Sequence, residues 1–343
     1  MKTVSIVGGG LAGLSLGLAL RQHNIPTAVF ESGDYPRHKV CGEFISGAGI
    51  SLLKALGIEE RLRDLGLKRA QEVQFFLEGE GAVPVSLPST AWCLSRWNLD
   101  LVLAEAFEKV GGRLCKGVRS SGFDPKPGWV QAFGRRRAKL ERSRWVGVKF
   151  HLSDFSLKAD LEMHLQSGAY VGICGVERGQ SNVCALLPKS SVPRHLSADP
   201  LGGLGGVFSA SLASRFSGAK LVPGSVATVA GLDYSSGGAV SDFSVQLGDA
   251  QGLIPPITGN GMSLAFESAA LALGPLIEWS GDSLSWEATC REIRLRQQAA
   301  FSSRLVRARW LQRFLVGDAL RKGRRWVLPV LPSLIPWAFR LTR

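Results

Sequence analysis

The first 31 residues, MKTVSIVGGGLAGLSLGLALRQHNIPTAVFE, decide the fold. An apolar run breaks into glycines spaced GxGxxG, a helix-compatible run follows at 14–20, and a second strand at 27–30 ends in Glu31. Such glycines allow a tight turn and a close approach of the backbone to a pyrophosphate, which the positive end of the new helix attracts. An acid at the second strand end accepts hydrogen bonds from a ribose diol. The stretch predicts a dinucleotide-binding βαβ unit, the alternative being a structural glycine-rich turn, and its glycines are Gly8, Gly10 and Gly13.

The composition is that of a folded protein with a large core. The chain has 343 residues, of which 45% are hydrophobic and 20% are charged, which is typical of a globular protein and excludes a disordered one. Six cysteines are scattered without a CxxC pair or a Cys/His cluster at metal-ligand spacing, so we expect reduced thiols and no metal site. The first strand follows Lys2 directly, without a secretory signal, which indicates a cytoplasmic protein.

The net charge of +13 is concentrated at the C-terminus. Residues 291–343 contain 13 Lys and Arg against two acidic residues, with an amphipathic helix expected at 294–322 and an apolar, proline-broken run after it. That run is short for a spanning helix, but Trp326 and Trp337 beside arginines are typical of a lipid headgroup boundary. Three interpretations stay open for 324–343: contact with the inner face of a membrane, packing on the body, or a solvated basic end. The aromatic residues form no interleaved stacking platform, so nucleic-acid binding is not expected.

A second chemical signal is the stretch LGDAQGLIPPITGNGM at 247–262. A predicted strand ends at Asp249, and a Pro-Pro turn and a Gly-x-Gly pair precede a helix that opens at Ser263. A carboxylate at a strand end binds a sugar-like hydroxyl, and bare N–H groups at a helix start suit a ring carbonyl oxygen. With the first motif, this stretch resembles the FAD oxidoreductases with a single dinucleotide fold, which include aromatic-ring hydroxylases, flavin halogenases and geranylgeranyl reductases. The resemblance implies that Asp249 binds the flavin ribityl chain and that the helix start faces the pyrimidine end of the isoalloxazine.

Two further stretches narrow the resemblance, which covers residues 1–275. YPRHKVCGE at 35–43 resembles the PRxKxCGE element of the geranylgeranyl-reductase-like branch, which lies along the flavin. SRWNLD at 95–100 resembles the R-x-x-L/F-D element, whose arginine approaches the cofactor. Within the family, the sequence therefore most resembles the geranylgeranyl-reductase-like branch.

The resemblance implies an FAD site, with NAD(P)H as the electron donor. Arg37 and Arg96 have an alternative interpretation as surface ion-pair partners. The implied FAD-binding residues are Gly8, Gly10, Ala12, Gly13, Glu31, Ser32, Arg37, Lys39, Cys41, Gly42, Arg96, Gly248, Asp249, Pro256, Gly259, Asn260, Gly261 and Met262.

The sequence assigns no catalytic residue outright. His151 and His164 lie in alternating strands, and imidazole titrates near neutral pH, so both are candidates for proton transfer. The alternative is a structural role in the sheet. Cys41 is a third candidate, with a covalent or redox role or as a small residue packed at the flavin ring.

The order of predicted elements is βαβ, then a β-rich stretch, then a return to dinucleotide-type segments, which indicates interleaved units. We predict an α/β fold with a three-layer FAD-binding domain, an interleaved β-sheet substrate domain and a helical C-terminal tail. The FAD-binding domain comprises 1-71, 93-143 and 240-280. The substrate domain comprises 72-92 and 144-239, with a helix across Val207–Phe216, and the basic and apolar tail comprises 281-343.

Departures from the family pattern bear on the reaction. The meander at 113–134 is short, the GWxWxIP element of the halogenases has no match, and the reductases' Y-x-W-x-F-P element is only echoed at 170–175. We therefore expect an NAD(P)H-consuming monooxygenase acting on a lipophilic aromatic, polyketide-like or isoprenoid substrate. The alternatives are a geranylgeranyl-reductase-like reductase or desaturase of an isoprenoid C=C bond, and a non-catalytic lipid-escort protein that retains the fold.

Overall fold

The computed structural model describes residues 1–77, 80–119, 126–135, 145–166, 168–232, 243–252 and 259–316. The strands are β1 (Val4–Val7), β2 (Thr27–Phe30), β3 (Phe44–Ile45), β4 (Lys68–Leu77), β5 (Glu80–Cys93), β6 (Arg113–Cys115), β7 (Trp129–Gln131), β8 (Trp145–Ser153), β9 (Leu161–Gln166), β10 (Ala169–Gly175), β11 (Ser181–Pro188), β12 (Lys220–Leu221), β13 (Ala227–Leu232) and β14 (Val245–Gln246). The helices are α1 (Leu11–Gln22), α2 (Ala48–Ala55), α3 (Glu59–Asp64), α4 (Arg96–Lys109), α5 (Pro200–Val207), α6 (Ala210–Ser217), α7 (Gly261–Ser280) and α8 (Trp286–Val316).

A parallel sheet of five strands carries the glycine motif. Its strand order is β14-β7-β1-β2-β6, so β1 lies at the centre. Helix α1 packs against both α4 and α7, and apolar residues of all three helices share one buried core with the strands. Every residue of α1 from Leu11 to Leu20 is buried, which explains the apolar run after the glycines. The predicted α/β fold and its βαβ start are confirmed.

A mixed sheet of nine strands forms the second unit. Its strand order is β12-β8-β11-β10-β9-β4-β5-β3, and β13 also pairs with β8. The pairing of β4 with β9 is parallel, and the other pairings are antiparallel. Helices α5 and α6 cover one face through an apolar cluster, and a second apolar cluster lies on the other face.

The alternation of side chains along β8 separates its apolar from its charged residues. Val148, Phe150 and Leu152 belong to the cluster under α5 and α6. Lys149 and His151 therefore point to the opposite face of the sheet, where the FAD-binding segments lie. A strand that looks apolar in the sequence thus delivers two titratable groups to the interior.

The two sheets take their strands from alternating stretches of chain, which is the predicted interleaving. The parallel sheet uses 4–30, 113–131 and 245–246, and the mixed sheet uses 44–93 and 145–232. In detail, β4 begins at Lys68, ahead of residue 72 where the predicted substrate domain starts, and β3 adds an edge strand from inside the first predicted FAD-binding segment.

The helix predicted across Val207–Phe216 is present as α6 from Ala210 onward, but its predicted start is wrong, because Val207 ends the separate helix α5. Helix α5 ends at Val207, and Ser209 adopts an extended backbone conformation. The Oγ of Ser209 accepts a hydrogen bond from the N–H of Leu212, which starts α6 with an N-cap. The apolar pattern is continuous across the break, so it does not reveal the cap.

Helix α8 corresponds to the amphipathic helix predicted at 294–322, but it begins earlier, at Trp286. Residues 317–343, including the predicted membrane-contact segment, lie outside the described residues. The buried side of α8 includes Cys290, Ile293 and Phe301. Its exposed apolar residues include Leu295, Val306 and Trp310. Among the described helices, none has the length and apolar character needed to cross a membrane.

Candidate functional site

The three motif glycines have two structural roles, one shared by Gly8 and Gly13 and the other belonging to Gly10. A Cβ on Gly8, whose φ is +111°, would lie 2.2 Å from the carbonyl oxygen of Ala132, and a Cβ on Gly13 would lie 2.0 Å from the carbonyl oxygen of Gly8. These two glycines therefore allow backbone segments to touch. A Cβ on Gly10 would meet only the Nζ of Lys39, at 3.9 Å. Gly10 thus leaves space above the N-terminus of α1, where no side chain of the described residues caps the helix.

Glu31 organises the loop that follows β2. Its Oε2 accepts a hydrogen bond from the N–H of Gly9 at 2.9 Å, and its Oε1 accepts one from the N–H of Gly33 at 3.0 Å. Its Oε1 also lies 2.7 Å from Nη2 of Arg37. Burial opposes ionisation, but the hydrogen bond and charge of Arg37 outweigh it and hold the pKa of Glu31 below its ordinary value. Glu31 is an ionised anchor whose neighbour Ser32 is exposed and donates to it.

Lys39, Arg96 and Asp100 form a second charged group beside the glycine loop. Asp100 is fully buried, and it accepts two hydrogen bonds from the guanidinium of Arg96, at 2.6 and 2.8 Å, and one from Nζ of Lys39 at 2.7 Å. Burial alone raises the pKa of this carboxyl, but the two cations lower it to about 2. Arg37 forms an ion pair with Glu31, and Arg96 forms one with Asp100, as expected if these arginines are ion-pair partners. Both ion pairs lie next to the glycine loop.

The second motif meets the first at Gly248. A Cβ on Gly248, which has a φ of +56°, would lie 3.4 Å from the Cβ of Ala12 in the first turn of α1. The N–H of Gly248 donates to the Oγ of Ser268 at 2.9 Å, which ties this turn to α7. Two stretches far apart in sequence are thereby joined at the helix start.

Asp249 marks an open space at this junction. Its residue is exposed, yet the surrounding protein is dense enough that desolvation raises the pKa of its carboxyl, against the opposing charges of Arg96 and Arg135. Asp249 is therefore accessible to a ligand and also lies close to Arg96 and Arg135. We call the region bounded by Asp249, Arg96 and the N-terminus of α1 the recess.

The start of α7 lies against β3. Gly259 has a φ of +64°, and its Cβ position lies 3.1 Å from the ring of Phe44. Asn260 is buried, α7 begins at Gly261, and the side chain of Met262 is buried in the core, so Met262 offers only its backbone to a ligand. Pro256 lies outside the described residues.

Cys41 and Gly42 connect the recess to the mixed sheet. The Nδ2 of Asn182 donates to the carbonyl oxygen of Cys41 at 3.1 Å, and the Sγ of Cys174 donates to that of Gly42 at 3.4 Å. Burial raises the pKa of the Cys41 thiol. A protonated thiol is a poor nucleophile, which favours a packing role for Cys41.

A buried cluster of titratable groups, absent from the sequence-based list, lies behind this segment. Glu43 accepts a hydrogen bond from the N–H of Arg96 at 2.9 Å, and the same Oε1 lies 3.1 Å from Nζ of Lys149. Its Oε2 lies 2.7 Å from Nε2 of His151. Nζ of Lys149 lies 2.8 Å from Nδ1 of His38. We call Glu43, Lys149, His151 and His38 the buried cluster.

The ligand atoms of His38, Glu43 and His151 are close enough together to hold a metal ion, and among the described residues they are the one such group. The ammonium of Lys149 already contacts two of the three. A cation there would meet that positive charge at close range, so the geometry favours an internal ion cluster over a metal site.

The structure separates the two histidines proposed from sequence. His151 belongs to the buried cluster, and its side chain is 2% exposed. His164 is on the opposite face of the sheet, because Leu161, Met163 and Leu165 of the same strand belong to the apolar cluster of the site face. There it pairs with Glu162 at 2.9 Å, beside Arg215 of α6. The structure thus brings His151, and not His164, to the site.

The missed residues carried a weak signal. Lys149 and His151 share one face of an otherwise apolar strand, and a charged residue at such a position is rarely buried without a partner. The partner, Glu43, is distant in the chain, so its identity depended on the fold.

Comparisons with known proteins agree with this geometry. Residues 1–147 match the family model of the FAD binding domain. No curated protein matches the sequence. The structure of the flavin-dependent brominase Bmp2 is similar, with a TM-score of 0.78 at 16% identity, covering 98% of this chain and 93% of the brominase.

Two further solved structures share the fold. PqsL, a probable FAD-dependent monooxygenase from Pseudomonas aeruginosa, has a TM-score of 0.68 at 17% identity, covering 92% of this chain and 97% of PqsL. The myxobacterial chondrochloren halogenase CndH has a TM-score of 0.70 at 17% identity, covering 87% of this chain and 80% of the halogenase. At these identities the likeness is one of fold.

Proposed function

We propose that the protein is an NAD(P)H-consuming monooxygenase acting on a lipophilic aromatic, polyketide-like or isoprenoid substrate. The proposal is supported by the match of residues 1–147 to the FAD binding domain and by the fold shared with a flavin-dependent brominase and a probable FAD-dependent monooxygenase. The observation that carries the proposal is the uncapped N-terminus of α1, which lies next to Lys39 and opens toward the recess that Asp249 faces. This arrangement suits a ligand that combines an anionic group with a polyhydroxyl chain.

The described residues fit FAD. The first turn of α1 and Lys39 would hold the pyrophosphate, since the helix dipole and the ammonium both favour negative charge. Glu31 stands at the end of β2, where it would meet the ribose of the adenosine half. Asp249 would bind the ribityl chain, and the start of α7 at Gly261 would offer its N–H groups to a ring carbonyl.

Bound FAD would supply the redox chemistry that connects NAD(P)H with O₂. The residues of the chain position it. Arg96 is held by Asp100 and leaves its charge beside Cys41, and Asn182 and Cys174 fix the Cys41–Gly42 backbone. The apolar cluster on the site face of the mixed sheet excludes water from a lipophilic substrate.

Monooxygenation is proposed over reduction because PqsL, with the same fold, is described as a probable monooxygenase, and because the reductase element is only echoed at 170–175. The geranylgeranyl-reductase-like assignment remains a prediction, and a C=C reductase or desaturase is the second candidate. A lipid-escort protein without redox activity is the third. O₂ consumption coupled to a product with an added oxygen atom supports the first. Substrate turnover under anaerobic conditions with a reduced product would overturn it in favour of the second.

The lipophilic substrate and the membrane surface are proposed together. The C-terminal segment 324–343 combines arginines with Trp326 and Trp337, and α8, which leads into it, exposes an apolar side. An apolar substrate partitions into lipid, so an enzyme bound at the inner face of a membrane meets a higher local concentration of it.

A further inference from the structure

We propose that His38 is a proton-transfer residue of this site, which passes protons between the recess and a buried relay formed by Lys149, Glu43 and His151. The inference rests on the proposed function, because it assigns a role in the proposed reaction to groups that FAD binding does not use. The cluster lies on the site face of the mixed sheet, directly behind the Cys41–Gly42 segment.

The hydrogen bonds of the cluster form an uninterrupted chain. It runs from Nδ1 of His38 to Nζ of Lys149 at 2.8 Å, then to Oε1 of Glu43 at 3.1 Å. From Oε2 of the same carboxylate it continues to Nε2 of His151 at 2.7 Å. Each neighbouring pair is thus close enough for a proton to move between the two atoms.

Exposure identifies the end of the chain at which protons enter and leave. The side chains of Lys149, Glu43 and His151 are at most 2% exposed. His38 is only half-buried, and it lies in sequence between Arg37 and Lys39, which border the glycine loop. Its ring contacts Trp97 of α4 and the edge of His151. His38 is therefore the one member of the buried cluster that is accessible from outside it.

The contacts also fix the form of His38. An ammonium group only donates hydrogen bonds, so Nδ1 of His38 accepts from Lys149 and the ring proton lies on Nε2. The charged groups facing His38 are Lys149 and Glu43, with His151 beside them. Burial and the charge of Lys149 lower the pKa of His38 to about 4, despite the opposing charge of Glu43. At neutral pH the ring is uncharged and its Nε2–H is the donor.

The proton balance of one transfer is simple. The Nε2–H bond of His38 breaks as its proton passes to an oxyanion of the substrate, and Nδ1 takes a proton from Lys149. His38 ends neutral, and Lys149 becomes a neutral amine beside the carboxylate of Glu43. The reverse route restores the starting state: Nε2 of His38 takes up a proton from solvent, and Nδ1 returns its proton to Lys149, whose ammonium form the carboxylate of Glu43 favours.

The test compares His38→Gln with His164→Gln in the full-length protein. Both replace a half-buried or buried imidazole by an amide, and His164 lies in a Glu162–Arg215 cluster on the far face of the same sheet. We expect both variants to keep FAD content and the rate of flavin reduction by NADPH. His38→Gln should lower the subsequent turnover of the substrate by roughly 10²-fold and remove the further loss of turnover that protonation of His38 causes as the pH falls toward 4. Wild-type turnover and pH profile in His38→Gln, or an equal loss in His164→Gln, would overturn the relay.

A second measurement does not depend on the loaded enzyme. Histidine NMR of the FAD-free protein should show His38 neutral between pH 5 and 8, with its proton on Nε2. In the Lys149→Met variant, His38 should lose its preference for the tautomer with the proton on Nε2. A His38 that titrates near its ordinary value, about 6.5, or carries its proton on Nδ1 contradicts the relay. Absence of FAD binding in the wild type contradicts the proposed function instead, and the NMR result still decides the relay.

Discussion

A Cβ on Gly248 would lie 3.4 Å from the Cβ of Ala12, so the return segment touches the first turn of α1. This contact brings Asp249 to the N-terminus of α1, which the loop of Gly8, Gly10 and Gly13 precedes. Two motifs that are far apart in the sequence form one site because both contacting residues are small. The proposed FAD site depends on that junction.

Within the glycine motif, Gly13 is expected to matter for stability and Gly10 for FAD affinity. Gly13→Ala should destabilise the protein by about 1–3 kcal/mol, since its Cβ would lie 2.0 Å from the carbonyl oxygen of Gly8 and the backbone must shift. Gly10→Ala has room for its Cβ and should leave the Tm nearly unchanged, while its methyl group fills space above α1 and weakens FAD binding. Thermal unfolding without FAD and FAD titration measure the two effects. Equal loss of Tm in both variants would contradict the distinction.

Glu31→Ala should reduce the retention of FAD through extensive dialysis. The variant removes the acceptor for Gly9 and Gly33 and the partner of Arg37, and a single hydrogen bond to a charged group contributes about 1.5–3 kcal/mol. Glu31→Gln, which keeps acceptor oxygen but loses the charge, serves as the control and should show a smaller loss. A Glu31→Ala protein that stays as yellow as the wild type would remove Glu31 from the site.

Asp249→Asn should have opposite effects on stability and binding. Desolvation raises the pKa of Asp249 in the folded state, so its ionised form costs stability at pH 7 and the cost disappears as the pH falls through that raised pKa. The variant should therefore raise the Tm of the FAD-free protein at pH 7, with the gain vanishing toward pH 4. Its affinity for FAD should fall at least about tenfold, by loss of a charge-assisted hydrogen bond to the ribityl chain. Unchanged affinity would make Asp249 a structural residue.

Asp100→Asn should destabilise the fold by about 3–5 kcal/mol at pH 7, because it leaves Arg96 and Lys39 partly buried without their counter-charge. The pKa of Asp100 is lowered to about 2, so its stabilisation is complete above the ordinary value and is lost as the pH falls toward 2. Urea unfolding from pH 7 down to pH 3 should show the difference from wild type narrowing only at the acid end. A constant difference over that range would contradict the charge-based explanation.

Deletion of 324–343 should reduce sedimentation of the protein with anionic liposomes while leaving the flavin spectrum intact. Arg324, Arg325, Arg340 and Arg343 each contribute on the order of 1 kcal/mol near an anionic surface. Salt does not screen the apolar contribution that Trp326 and Trp337 would make by inserting into the lipid. Raising the salt concentration should therefore weaken the binding only in part. Full-length protein that remains in the supernatant at low salt would refute the membrane proposal.

Local patterns predicted the parts of the site that are local in the chain. The glycine loop, Glu31 and the Asp249 turn each lie close behind the end of a strand, so short windows of sequence were sufficient. The cluster of Glu43, Lys149 and His151 was missed, because it requires β8 to lie behind the Cys41–Gly42 segment, and only the folded sheets bring these stretches together. The break at Ser209 was missed for the opposite reason, since one hydroxyl cap overrides a continuous apolar pattern.

The most direct test of FAD-dependent redox function is the absorbance spectrum of the purified full-length protein as NADPH is added with and without O₂. The account predicts a noncovalently bound FAD that is released on denaturation, bleaches with NADPH in the absence of O₂, and regains its colour when O₂ is admitted. A protein that stays colourless after incubation with excess FAD and removal of the free cofactor would contradict it.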